Sequence, residues 1–204
     1  MKILCLGDSI TVGAHVDGYI PGGYRSRLAA RLRRAGVEAE FVGRQFLNPG
    51  LDDPDSRHEG YSGYCIVGDD VRLGLYEMLD EIYEHPVDLT LLMIGVNDLY
   101  GGIEPTAVAA RLERLLEGIF LRNPAGSIVL GSLIGATDKA LDRRCAETNA
   151  LYRQIAEKDP RVTWCDLFGL DRKSDFWDPV HPNEVGLEKM ADAWASTILS
   201  HMNA

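Results

Sequence analysis

The chain has 204 residues, a length typical of one domain, and we expect a single domain over residues 1–204. Its 46% hydrophobic and 25% charged residues are ordinary for a soluble globular protein, and the net charge of −10 argues against a nucleic-acid-binding surface, which needs a basic patch. No apolar run approaches the ~18 residues of a membrane span, and no signal peptide precedes the first predicted strand, so the sequence predicts a cytoplasmic protein.

Apolar runs alternate along the chain with segments of helical periodicity. The predicted strands cover residues 2–7, 39–43, 88–95, 127–133 and 162–167. The predicted helices cover residues 24–35, 105–121, 139–158 and 183–200. This alternation predicts an α/β fold of three layers, with about five parallel strands and helices on both faces of the sheet.

Two long stretches, 44–68 and 168–182, interrupt the alternation. Loops of that length are usually functional or disordered, and their glycines, prolines, aspartates and aromatic residues favour ordered loops that form a site. Within the first stretch, the acidic and proline-containing segment 44–56 is an unlikely strand. A lid and an interface element are the two roles open to it.

The four cysteines form no C-x-x-C pair, so the sequence contains no zinc or redox motif. Cys5 and Cys165 lie in strand-like runs and are expected to be buried thiols. Cys65 has two open interpretations, a residue that lines a pocket and a residue packed inward. We expect neither a metal ion nor an organic cofactor.

Polar residues follow four of the predicted strands, either directly or on the long loop after the strand. In open α/β sheets ligands bind beyond the carboxyl ends of the strands, so these residues are expected to meet at one edge. The segments are GDS (7–9), RHEGYSGYC (57–65), GVND (95–98) and DPVHP (178–182).

The first and last of these segments contain the residues of a serine nucleophile and its base. Ser9 is expected to project from a helix N-terminus, and a serine hydroxyl needs a general base to become nucleophilic. His181 follows Asp178 by three residues, which lets the carboxylate reach Nδ1 while Nε2 faces the serine. The amide of Asn97 and the N–H groups of Gly63 and Ser9 are candidate donors to an oxyanion.

Together, GDSIT, the loop glycine of GYSG, GVND and DPVHP resemble the four ordered sequence blocks of the GDSL, or SGNH, hydrolase family. The resemblance extends from the first strand to the last helix. It implies the three-layer, flavodoxin-like SGNH hydrolase fold. It also implies Ser9 as the nucleophile, Gly63 and Asn97 as oxyanion donors, and Asp178 with His181 completing the triad.

The segments GGYRSRLAARL, AEFVGRQ, HEGYSG and LLMIGVNDL are similar to family-three carbohydrate esterases of the acetylxylan esterase type. In that family the loop commonly reads HEG-x-SGW, whereas Tyr64 and Cys65 stand here in place of the tryptophan and its successor. The resemblance implies an esterase that removes a short acyl group, acetyl above all, from carbohydrate through an acyl-enzyme. We expect a small soluble acetylated sugar or another short ester rather than polymeric xylan. A small-molecule or saccharide ester is then its partner.

Several residues have alternative interpretations. Ser62 is a rival nucleophile in GYSG, but G-x-S-x-G is not met because its fifth residue is Tyr64. Gly60 is the alternative oxyanion glycine. Asp98 is expected to cap its own turn, and Asp8 to brace the turn at Ser9.

The three residues before Gly60 are expected to support the loop by ion pairs rather than contact substrate. They are Arg57, His58 and Glu59.

Three other functions are considered. A lipase, lysophospholipase or thioesterase would act on longer acyl chains and need a wide apolar groove. A catalytically silent carbohydrate-binding module would bind acetylated sugar without turnover. A phosphate-binding protein would need a P-loop or a dinucleotide glycine pattern, and neither occurs.

Overall fold

A parallel sheet forms the centre of the computed structural model, which describes residues 1–15, 17–46 and 57–202. The strands are β1 Lys2–Gly7, β2 Ala14–His15, β3 Gly18–Tyr19, β4 Glu40–Val42, β5 Glu59–Gly60, β6 Leu89–Met93, β7 Ser127–Gly131 and β8 Val162–Cys165. The helices are α1 Ser9–Val12, α2 Gly23–Arg34, α3 Leu79–Ile82, α4 Val96–Tyr100, α5 Pro105–Arg122, α6 Lys139–Lys158 and α7 Glu184–Met202. The sheet order β4–β1–β6–β7–β8 is parallel throughout and confirms the predicted five-stranded parallel sheet.

The central strands are apolar because both of their faces are covered. All five residues of β6 are buried, as are the last five of β1. Helix α2 packs against α7, and α5 packs against α6, so helical layers cover the sheet on both sides. The apolar faces predicted for the long helices are buried, including Trp194 of α7 and Leu112 of α5.

The edge of the sheet differs from the sequence prediction. The stretch 44–68 is expected to be a loop, but it contains β5, which pairs with the end of β1 through Leu6–Glu59 and Gly7–Gly60. Strand β4 pairs with the start of β1, from Lys2 to Leu4, so β4 and β5 occupy successive positions along the same edge. A two-residue strand has no readable alternation, which is why the pattern misses it.

Most of the segment 44–56 lies outside the described residues, and its role stays a prediction. In the described part of the chain, no helix is long and apolar enough to cross a membrane. All four cysteines are free and buried. Cys65 is therefore packed inward, the second of its two interpretations.

Candidate active site

Ser9 lies in a tight turn between β1 and α1. At the end of β1, a Cβ on Gly7 would come within 2.3 Å of the Met93 carbonyl oxygen and 2.4 Å of Thr11 Oγ1, so the turn accepts only glycine there. The chain then enters α1, whose first residue is Ser9. This turn places the serine beyond the carboxyl ends of β1 and β6, at the edge where the sequence predicts a site.

Asp8 caps α1. Its Oδ1 accepts a hydrogen bond from the N–H of Ile10 at 3.0 Å, and its side chain is buried. Burial raises the pKa of the Asp8 carboxyl to about 7, and the nearby Asp98 adds to the rise, against the opposing effect of the Ile10 N–H. Asp8 therefore stabilises the turn at Ser9 from the interior of the protein, and its carboxylate is not exposed to solvent.

The hydroxyl of Ser9 is joined to His181 and Asp178 by two consecutive hydrogen bonds. Ser9 Oγ lies 2.9 Å from His181 Nε2, and His181 Nδ1 lies 2.7 Å from Asp178 Oδ2. Because the aspartate carboxylate only accepts, Nδ1 carries the proton and Nε2 is left as the acceptor for the serine hydroxyl. The structure thus brings together three residues from opposite ends of the chain in the order hydroxyl, imidazole, carboxylate.

The turn from Asp178 to His181 is closed by the same carboxylate. Asp178 Oδ1 accepts hydrogen bonds from the N–H groups of Val180 at 2.9 Å and His181 at 2.8 Å, which leaves Oδ2 for the imidazole. Partial burial acts to raise the pKa of Asp178, but these N–H groups and the His181 side chain outweigh it and hold the pKa below its ordinary value. The carboxylate therefore stays ionised beside the imidazole.

The two candidate oxyanion glycines differ in what their N–H groups do. The N–H of Gly60 donates to His58 Nδ1 at 2.9 Å, so it is already used. Gly63 has φ of +80°, and a Cβ built on it would meet nothing within 4 Å. No described residue accepts a hydrogen bond from the Gly63 N–H. Of the two, Gly63 alone has an available donor.

Asn97 lies in α4, directly beyond β6. Its Nδ2 donates one hydrogen bond to the Tyr64 carbonyl oxygen at 2.9 Å, which leaves the second N–H of the amide free to donate. Arg72 holds the same residue from the main-chain side, since its Nη1 donates to the Asn97 carbonyl oxygen at 2.8 Å. The loop formed by residues 61–74, here called the 61–74 loop, is therefore bonded to α4 at two points.

Asp98 adds a third bond between this loop and the helices, which corrects the expectation that it caps its own turn. Its Oδ2 accepts from the N–H of Ile66 at 3.0 Å, and its Oδ1 pairs with Arg111 of α5 at 2.7 Å. The side chain is fully buried, and burial raises the pKa of Asp98 against the effect of Ile66 and Arg111. Asp98 is thus a structural anchor for the 61–74 loop.

Two tyrosines stand beside Gly63. The rings of Tyr61 and Tyr64 stack with centroids 4.9 Å apart. The Tyr61 hydroxyl donates to the buried Glu59, which is paired with Arg44 at 3.2 Å. This network holds the stacked pair of Tyr61 and Tyr64, here called the tyrosine wall, in place beside Gly63. It uses Glu59 as support, in line with the sequence interpretation of the segment 57–59.

His58 is buried in a place where it cannot readily become charged. Its Nδ1 accepts from the Gly60 N–H, so the proton of the neutral ring is on Nε2, which is buried without a hydrogen-bond partner among the described residues. Burial, together with the nearby Arg25 guanidinium, lowers the pKa of His58 from 6.5 to about 3.

This depressed pKa predicts a loss of stability in acid. The unfolded chain takes up the proton at about pH 6.5 and the folded chain only near pH 3, so stability is lost as the pH falls between those values. His58 is expected to cost about 2 kcal/mol of unfolding free energy between about pH 7.5 and about pH 5. Urea unfolding followed by circular dichroism at both pH values measures this difference.

The matched variants are His58→Asn, which keeps an acceptor for the Gly60 N–H but does not titrate, and His85→Asn at an exposed histidine. Between about pH 7.5 and about pH 5, the unfolding free energy of His58→Asn should rise by about 2 kcal/mol relative to that of wild type, while His85→Asn should change as wild type does. Asp8 contributes with the opposite sign, since its raised pKa makes stability fall as the pH rises from 3.8 to about 7. That contribution is common to all the variants and cancels in the comparison. An equal change in unfolding free energy between the two pH values in wild type and His58→Asn would contradict the assignment.

Other candidates from the sequence are not joined to this constellation. Ser62 is exposed and makes no side-chain hydrogen bond with any described residue. Over residues 1–15, 17–46 and 57–202, no three histidine, cysteine or carboxylate side chains are grouped to hold a metal ion. Sequence reasoning missed Arg72 and Arg111, because a lone arginine in a loop or helix carries no signal of the carbonyl or carboxylate it reaches.

Comparison with known proteins identifies the family. The model of the GDSL-like lipase/acylhydrolase family matches residues 5–189, nearly the whole chain. No curated protein sequence matches the chain.

Solved structures of similar fold include three carbohydrate esterases. A family 3 carbohydrate esterase of Clostridium thermocellum has 28% sequence identity and a TM-score of 0.80, with 100% of this chain and 97% of that chain covered. A family 3 carbohydrate esterase from Talaromyces cellulolyticus has 20% identity and a TM-score of 0.80, with 100% and 98% covered. Axe2, an acetylxylan esterase from Geobacillus stearothermophilus, has 20% identity and a TM-score of 0.71, with 97% and 93% covered. The latter two show the shared fold alone. The resemblance noted in the sequence is confirmed: the chain belongs to the GDSL-like lipase/acylhydrolase family and is a carboxylic ester hydrolase with the SGNH hydrolase fold.

Proposed function

We propose that this esterase removes short acyl groups, acetyl above all, from carbohydrate through an acyl-enzyme formed on Ser9. The observation that carries the proposal is the pair of hydrogen bonds from Ser9 to His181, at 2.9 Å, and from His181 to Asp178, at 2.7 Å. A hydroxyl, an imidazole and a carboxylate in this order form the constellation that makes a serine nucleophilic.

In the proposed reaction His181 Nε2 takes the proton of the Ser9 hydroxyl as Oγ attacks the ester carbonyl. The tetrahedral oxyanion accepts hydrogen bonds from the N–H groups of Ser9 and Gly63 and from the Asn97 amide. The intermediate then expels the alcohol, which receives its proton from His181, and leaves the acyl group on Ser9. A water molecule, deprotonated by His181, attacks this acyl-enzyme. The bond to Ser9 Oγ then breaks, the acid is released, and His181 returns its proton to Oγ. Asp178 holds the imidazole and stabilises its charged form throughout.

The preference for a short acyl group follows from the tyrosine wall. Tyr61 is fixed by Glu59 and stacks on Tyr64, so the wall next to Gly63 is bulky and held in place. An acyl group whose carbonyl lies in the oxyanion site extends toward this wall. The 28% identity to a family 3 carbohydrate esterase supports sugar as the alcohol.

A second candidate, hydrolysis of longer acyl chains, is favoured by one observation. Three apolar side chains near Arg72 and Asn97 are strongly exposed: Val71 by 89%, Leu73 by 66% and Tyr100 by 77%. A long acyl chain that passed the tyrosine wall would find apolar surface there.

Initial hydrolysis rates with p-nitrophenyl esters of two to twelve acyl carbons distinguish the two. We expect kcat/KM to be highest for acetate and to fall by about tenfold or more once an added methylene collides with the wall. Tyr61→Ala and Tyr64→Ala should move the optimum to longer acids. Exposed Tyr100→Ala is the matched control on the α4 side.

A rate that rises with chain length, and that Tyr100→Ala lowers, would replace the acetyl esterase with the long-chain enzyme. If acetate is the preferred acid, the next substrates are acetylated xylosides, whose deacetylation can be recorded by pH-stat titration. A failure to deacetylate any sugar would limit the proposal to a general short-chain esterase.

A further inference from the structure

An exposed aromatic pair lies next to the candidate triad and has no part in the chemistry described above. Trp177 directly precedes Asp178 and has 52% of its surface exposed. Its ring stacks on His15, with centroids 5.6 Å apart and planes inclined by 27°. The two residues are here called the His15–Trp177 pair.

Both members of the pair are held by the main chain. The Trp177 N–H donates to the His181 carbonyl oxygen at 2.9 Å, and Phe176 forms an antiparallel bridge with Pro182 on the same turn. His15 belongs to the β2–β3 hairpin, and its Nδ1 accepts from the Asp17 N–H at 3.1 Å. The pair thus joins the turn that contains His181 to the hairpin that follows the helix of Ser9.

Packing does not explain why Trp177 is half exposed. Burial of an indole is strongly favourable, yet half of this ring is left in water while the imidazole supports it. A ring that is already held in place loses little conformational entropy when a ligand covers it. Such a ring matches the C–H face of a pyranose, whose hydroxyl groups point outward and stay solvated during stacking.

The position of the pair indicates which part of an ester it meets. The acyl carbonyl extends toward the Gly63 and Asn97 donors, on the side of the tyrosine wall. The alcohol oxygen takes its proton from His181, so the alcohol departs on the side of the turn that contains Trp177. Its attachment to the His181 turn therefore assigns the aromatic pair to the alcohol half of the substrate.

We infer that Trp177, supported by His15, forms a binding subsite for the pyranose ring of the leaving alcohol. This inference rests on the proposed deacetylation of carbohydrate and adds the element that recognises the sugar. The subsite has no role in attack on the carbonyl, and it contributes to substrate affinity when the alcohol contains a ring.

Two substrates separate this contribution from catalysis. An acetylated methyl β-xylopyranoside offers a pyranose, and ethyl acetate has the same acyl group with no ring. In Trp177→Ala, kcat/KM for the xyloside should fall about tenfold more than kcat/KM for ethyl acetate, through KM rather than kcat. Trp177→Phe should retain part of the preference. Tyr19→Ala is the matched control, because Tyr19 is also 52% exposed but lies on the opposite face of the hairpin from His15.

An equal loss on both substrates would overturn the inference, since Trp177 would then act by holding the turn of His181. No change on either substrate would overturn it as well. Binding without turnover gives an independent reading: calorimetric titration of Ser9→Ala with the acetylated xyloside should give a Kd about tenfold lower than titration of Ser9→Ala/Trp177→Ala. If Trp177 strengthens binding but wild type releases no acetate, the proposed function fails and the subsite stands. If wild type deacetylates the xyloside and Trp177 affects neither KM nor Kd, the subsite fails alone.

Discussion

Exchange of Ser9 for alanine is expected to abolish esterase activity, with kcat for p-nitrophenyl acetate lowered by about 10⁴- to 10⁶-fold. In the proposed reaction the acyl group is transferred to Ser9 Oγ. Alanine lacks this atom, so His181 has no hydroxyl to deprotonate. The residual rate should come from the oxyanion donors and from substrate binding alone. Initial rates under saturating substrate measure the effect.

Ser62→Ala is the matched control for this variant. Ser62 is a serine of the 61–74 loop, but it is exposed and makes no hydrogen bond with a described histidine. It should therefore keep kcat within about twofold of wild type. A p-nitrophenyl phosphonate ester, which transfers its phosphonyl group to an activated serine and releases p-nitrophenol, should label Ser9 in wild type and in Ser62→Ala. Full activity in Ser9→Ala, or a label on Ser62, would refute the assignment.

The second large effect is expected at Asn97. Asn97→Ala removes one of the proposed oxyanion donors and should lower kcat by about 10²- to 10³-fold with little change in KM, because the bond strengthens only as negative charge develops on the carbonyl oxygen. Part of the loss comes from the bond between Asn97 and the Tyr64 carbonyl oxygen, which positions the 61–74 loop. Steady-state kinetics with p-nitrophenyl acetate provide both parameters.

A second asparagine separates catalysis from stability. Asn123 is buried and, like Asn97, joins two segments through its amide, which donates to the Val87 carbonyl oxygen at 3.0 Å. It lies near the start of β6, at the opposite end of the sheet from Asn97. Asn123→Ala should lower the free energy of unfolding and leave kcat within about twofold. If the two variants lost kcat equally, Asn97 would be a structural residue only.

The elements that position the site can be predicted from the sequence where apolar strands and amphipathic helices give a regular pattern. The apolar run of β1 ends at Gly7, and the site lies beyond that end because all strands of a parallel sheet point the same way. The same rule selects Asn97 after β6. The spacing from Asp178 to His181 is short enough that one turn fixes the pair, and the structure joins Asp178 to His181 and His181 to Ser9.

Other features depend on contacts between distant residues and left no pattern to read. Strand β5 has two residues, too few for alternation, and it forms because Gly7 and Gly60 lie side by side. The sequence around Asp98 predicts a local helix cap. In the structure the Asp98 carboxylate instead accepts from the Ile66 N–H and pairs with Arg111. The His15–Trp177 pair joins residues 162 positions apart in the chain, and neither residue alone signals the other.

Three bonds join the 61–74 loop to α4, and each of them ends on a main-chain atom, which separates selectivity from chemistry. Asn97 reaches the carbonyl oxygen of Tyr64, Asp98 reaches the N–H of Ile66, and Arg72 reaches the carbonyl oxygen of Asn97. None of these bonds uses the side chains of the tyrosine wall. Evolution can therefore exchange the aromatic residues at positions 61 and 64 without moving the backbone that presents Gly63. Descendants of this scaffold are free to diverge in the acid they release while they inherit an unaltered frame for the oxyanion.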